Sequence, residues 1–112
     1  MKSLLGIVTA AFLLTSCAAD HLKLNANLSR VDENHYETVI DNNTIILDSY
    51  IMLFQRPYYI VLKSEKPLSR EVAEKIAVEY IQPRGCTSPV QRRTDLDKNN
   101  QAQTQWLIGV EC

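Results

Sequence analysis

The chain has 112 residues, 46% hydrophobic and 22% charged, with a formal net charge of −1. That length fits one domain with a modest core, and without a basic excess nothing steers the protein toward nucleic acid. With only three cysteines and three glycines, the chain lacks the clustered ligands of a metal site and the glycine-rich turn of a phosphate cradle.

At the start, Lys2 precedes an apolar run from Leu4 to Leu14. As a helix that run reaches only about 16 Å, against the roughly 20 residues needed to cross a bilayer. Charge, short apolar core and a small-residue boundary are the layout of an export signal. Leu14-Thr15-Ser16-Cys17 then follows: a leucine, two small residues and a cysteine.

This stretch resembles the lipobox of bacterial lipoproteins, and the resemblance is confined to the first twenty residues. It implies that residues 1–16 are a signal peptide and that Cys17 is lipidated on sulfur and becomes the acylated mature N-terminus. Residues 17–21 would then be a tether, and the membrane a partner through lipid. Several acyl chains make such attachment nearly permanent, at about 0.8 kcal/mol per buried methylene. Ala18, where an aspartate would favour inner-membrane retention, favours the outer membrane, with the domain facing the periplasm. Two other readings compete: a short buried helix, and an ordinary signal cut near Ala18-Ala19 with Cys17 lost. Loss of Lys2 with the signal takes the formal charge from −1 to −2.

Residues 22–112 form the expected domain. Leu22, Leu24, Ala26 and Leu28 alternate with polar residues, which suits a strand or a continued tether. Tyr36–Ile40 and Thr44–Leu47 flank Asp41-Asn42-Asn43 and predict a hairpin. Tyr50–Phe54 fits either a continued strand or a helical turn capped by Asp48 or Ser49. Tyr58–Lys63 is the clearest strand. The clearest helix is Ser69–Ile81, with Ser69 as N-cap and Pro83 and Gly85 ending it. Its apolar stripe is Val72, Ala73, Ile76, Ala77, Tyr80 and Ile81, which should cover the sheet.

If Cys17 carries lipid, Cys86 and Cys112 remain as an even pair in an oxidising compartment, which reads as a disulfide; two free buried thiols are the alternative. A hairpin centred on Asn99 would place Cys86 opposite Cys112, Val90 opposite Ile108 and Arg92 opposite Trp106. Directly opposed residues lie within the Cα separation a disulfide accepts. The expected fold is therefore α+β: a mostly antiparallel sheet of four to six strands, one helix over about 69–81 on one face, and a C-terminal hairpin closed by Cys86–Cys112.

Catalytic constellations are sparse. The histidines, His21 and His35, have polar neighbours, and no G-x-S-x-G elbow exists. Asp95-Leu96-Asp97-Lys98-Asn99 imitates the opening of a calcium loop, but Asn100 stands where glycine is needed and Trp106 where the bidentate glutamate is needed. By elimination, the expectation is a non-enzymatic interaction or assembly module of the cell envelope, with no cofactor and no metal. Arg92, Arg93 and Trp106 are the candidate contacts to an envelope protein. An inhibitor or exclusion factor with a protruding Asp97–Asn100 loop is the alternative. A glycan-binding unit using Tyr50, Tyr58, Tyr59 and Trp106 is a third.

Overall fold

Alternating burial sets the orientation of the sheet. In β2 (Asn43–Met52), Asn43, Ile45, Leu47 and Ser49 are buried and the residues between them are half-buried, the two-residue period of a strand. The computed structural model describes residues 20–112; the expected signal peptide and Cys17 lie outside the described residues. β1 is Leu28–Ile40, β3 Tyr58–Ser64, α1 Arg70–Gly85, β4 Gln91–Arg92, β5 Lys98–Asn99 and β6 Gln105–Glu111. The sheet order is β1-β2-β3-β6-β4, with β5 also on β6 and every pairing antiparallel. The α+β architecture, with one helix on a mostly antiparallel sheet, is as expected.

Helix α1 covers one face. Ser69 caps it, its hydroxyl accepting from the Val72 N–H at 3.3 Å. Ala73, Ile76, Ala77, Tyr80 and Ile81 pack on Ile45, Leu47, Ile60, Leu62, Trp106, Ile108 and Val110. Val72, expected in the stripe, stays 43% exposed. The helix also runs past Pro83 to Gly85 rather than stopping at Ile81. In a last turn, proline deletes only one backbone donor. The Arg84 guanidinium also folds back, donating to the Tyr80 carbonyl at 2.8 Å, and so helps satisfy the helix end.

The β1–β2 hairpin turns on Asp41 and Asn42, at φ 52° and 61°, with Ile40 opposite Asn43. Two consecutive left-handed residues give the turn whose twist matches the flanking strands, and Asp and Asn tolerate that backbone best. β1 begins at Leu28, well before the Tyr36 read from sequence, because its polar N-terminal half belongs to an edge strand. Its register slips between Val31 and Tyr36. That bulge turns Asn34 inward, where it donates to the Ser49 hydroxyl at 2.8 Å and its carbonyl accepts from the Tyr80 hydroxyl. Tyr50–Met52 continues β2, and Leu53-Phe54 forms a turn.

The C-terminal arm departs from the single hairpin. β4 pairs Gln91 with Glu111 and Arg92 with Val110, whereas β5 pairs Lys98 with Leu107 and Asn99 with Trp106. A 3-10 turn, Thr94–Leu96, separates them. Val90 therefore does not face Ile108, nor Arg92 Trp106. The disulfide Cys86–Cys112 forms, with Cα atoms 5.5 Å apart, yet not as a rung of a ladder. Cys86 is the C-cap of α1 and Cys112 follows β6, so the bond ties helix end to strand end.

These registers give the domain two poles. One carries the Asp41-Asn42 turn, the start of α1 and the turn before β6. The other carries Leu53-Phe54, the end of α1 and the disulfide. Residues 22–25 form no strand; the Leu22 N–H donates to the Gln105 side chain at 2.8 Å. Lys23, Asn25 and Leu28 border a cavity of about 310 Å³ on the sheet face away from α1, with Tyr59 and Leu107 also lining it.

Candidate functional site

Of the three sequence-selected contact residues, Trp106 and Arg92 are held within the fold and Arg93 stays partly open. Trp106 is 4% exposed, and its indole N–H donates to the Gln103 carbonyl at 3.1 Å. Arg92 is held by Asp97 and the Gly109 carbonyl, with Glu74 Oε1 3.2 Å from its Nε. That last approach is a charge contact without hydrogen-bond geometry, so Nε has no hydrogen-bond partner. Asp97 Oδ1 in turn accepts from the Gly109 N–H at 3.0 Å. This packing splits the C-terminal arm: the 3-10 turn lies directly on Gly109, where a Cβ would meet Arg93 O at 2.6 Å and Leu96 Cβ at 2.7 Å. Arg93 is more open, paired with Asp95 at 3.0 Å and Glu111 at 3.1 Å. The hydrogen bonds Arg93 donates to Asp95 and Glu111 raise its pKa, and Arg93 in return lowers that of Asp95.

The exposed apolar side chains lie elsewhere. At the disulfide pole, Phe54 is 98% and Leu53 74% exposed, with Ile51 beside them at 38%. Phe54 has φ 64°, a left-handed backbone that bulky residues rarely adopt. The Gln55 N–H closes the turn on the Met52 carbonyl at 3.0 Å, and Pro57, just after it, is buried. The run Leu53-Phe54-Gln55-Arg56 is thus a convex apolar knob beside a cation. It abuts the start of β1, whose outer edge has no strand partner among the described residues. The sequence signal was present, an aromatic beside Gln-Arg-Pro, but an apolar run reads as core until its turn is known.

A groove of mixed character lies between β1 and α1, about 240 Å³, where Tyr36, Ile40, Leu47, Ile76 and Tyr80 are joined by Thr38, Glu79 and Arg84. The Arg84 guanidinium stacks over Tyr36 at 4.6 Å and Tyr80 at 4.7 Å, an arrangement that orders the helix end. Burial raises the pKa of the Tyr80 hydroxyl. On the exposed edge, His35 Nδ1 lies 2.7 Å from Asp48 Oδ1, and this hydrogen bond raises the imidazole pKa.

Among the described residues no three His, Cys, Asp or Glu side chains are grouped to hold a metal ion. The four aromatics do not form one platform: Trp106 and Tyr58 pack on the helix side, whereas Tyr50 faces Tyr59 on the other. Comparison with protein-family models, with curated proteins and with solved structures finds no match.

Proposed function

We propose that the protein is a lipid-anchored lipoprotein of the bacterial cell envelope, held through Cys17 and facing the periplasm, with the outer membrane favoured. It acts there as a non-enzymatic interaction module, meeting an envelope protein through the Leu53-Phe54 knob and the adjoining edge of β1. The observation that carries this reading is Phe54, 98% exposed and at φ 64°. An aromatic held out in water on strained backbone is a cost that contact with a partner would offset. The Cys86–Cys112 disulfide supports an oxidising compartment. The inhibitor alternative would use a protruding loop at Asp97–Asn100. Those residues instead fold onto β6, with Asn100 6% exposed, which favours the first reading.

A photo-reactive residue at Phe54 tests the contact in the intact envelope, with the same residue at Lys75 as control. A discrete protein adduct from position 54 and none from position 75 is expected. No adduct at 54, or the same pattern from both, overturns the contact. Labelled palmitate should enter the wild type and not Cys17→Ala; a soluble mature protein beginning at residue 18 or later overturns the anchor.

A further inference from the structure

Asp20 is bonded into the domain rather than trailing from it. Its carboxylate accepts from the Gln101 N–H at 2.8 Å and the Ala102 N–H at 3.2 Å, and its carbonyl accepts from the Asn100 side chain at 3.2 Å. Asn100 is itself pinned, accepting from the Thr104 and Gln105 N–H groups at 2.9 and 3.0 Å. A carboxylate on two backbone donors is a charge-assisted clamp, stronger than a neutral pair. Only Ala18 and Ala19 lie between Cys17 and Asp20, so three residue steps reach at most about 11 Å. Whatever path those residues take, the Cys17 backbone stays within that radius of Asp20, which is itself bonded to the turn before β6.

We propose that Asp20 stands the domain upright on its anchoring membrane, with the pole of the Asp41-Asn42 turn and the turn before β6 against the lipid headgroups. The opposite pole, with Leu53 and Phe54, is then held away from the bilayer. The inference rests on the reading that Cys17 is acylated. The membrane-facing pole has the chemistry of an interfacial surface: Val39, Ile40 and Val72 are 66%, 39% and 43% exposed, with Lys63 and Lys66 exposed nearby. Apolar side chains seat at the headgroup boundary, and lysines there are attracted by anionic lipid. Asp41 and Glu65 share this pole and limit the electrostatic part, so the clamp does the orienting. Nine residue steps of β2 separate the poles, about 30 Å at strand rise.

The test uses the full-length acylated protein in phosphatidylethanolamine–phosphatidylglycerol vesicles containing headgroup-nitroxide lipid. A fluorophore is placed at Gln101→Cys or Asn42→Cys, and at Gln55→Cys for the far pole, with the native disulfide kept oxidised. Quenching at 101 and 42 should exceed that at 55 several-fold. The contrast should collapse in Asp20→Ala, and also when a flexible linker of about ten residues, with a root-mean-square span near 17 Å, is inserted between Ala18 and Ala19 so that the clamp itself is left intact. Palmitate incorporation is measured on the same samples. An acylated protein quenched equally at both poles, or a contrast that survives both changes, overturns the orientation alone. A protein without palmitate overturns the anchor as well.

Discussion

Gly109 shows how one missing side chain redirects an entire arm of the fold. Because β6 carries no Cβ there, the 3-10 turn rests on its backbone, Arg93 N–H bonds the Gly109 carbonyl at 2.8 Å, and Asp97 caps the Gly109 N–H. Gly109→Ala would place a methyl against a carbonyl oxygen and a Cβ, neither at the free end of a flexible side chain. Overpacking of this kind costs about 1–3 kcal/mol, more than the roughly 0.5–1 kcal/mol gained by replacing a strand glycine. A lower urea midpoint with unchanged m-value is the expected result. His35 makes a pH prediction. Its pKa is raised by Asp48 in the folded state, so the folded protein holds the proton more tightly than the unfolded chain. The stabilisation is therefore complete below the unfolded value of about 6.5 and is lost as pH rises through the raised folded value. Denaturation midpoints should fall across that window, and His35→Gln should remove that part of the slope. Neither effect was legible in sequence, since neither Leu96 nor Asp48 is identifiable as a neighbour until the strands are placed.

At the scale of elements, the helix was legible because its two determinants are local: a cap and a 3.6-residue stripe. Ser69→Ala removes the acceptor for the Val72 N–H and should cost about 1 kcal/mol, read as a lower melting temperature with little loss of helix by circular dichroism. Its true end at Gly85 was not legible, because a proline in the last turn removes only one backbone donor and need not stop the helix there. The β1–β2 turn was legible for the same local reason as the cap, Asp and Asn being the residues that accept left-handed backbone. The first half of β1 was hidden because an edge strand need not alternate. Arg30, Asp32 and Glu33 are exposed in a strand that is hydrogen-bonded all the same. Charge along such an edge also discourages uncontrolled pairing; the proposed partner contact joins this edge to the Leu53-Phe54 knob.

For the whole molecule, the Cys86–Cys112 bond joins the end of α1 to the end of β6 across 26 residues. Closing that loop restricts the unfolded chain by roughly 3–4 kcal/mol in the chain-entropy model. Reduction, or the double variant Cys86→Ala/Cys112→Ala, should lower stability by about that amount, a large share of what a domain this size possesses, and a midpoint unaffected by reductant would contradict it. The pairing of these cysteines followed from their number once the first was set aside for lipid, although the register used to place them opposite one another was not the one adopted. That contrast marks the boundary between the two sources of information. Sequence alone determined the helix, the tight hairpin, the α+β class and the cysteine pair, because each depends on near neighbours or on simple counting. Tertiary structure decided that Arg92 and Trp106 are internal, that the C-terminal arm breaks around Gly109, that Asp20 grips a turn eighty residues away, and that Phe54 lies outside. Those outcomes depend on which distant backbone atoms meet, and no periodicity along the chain encodes that.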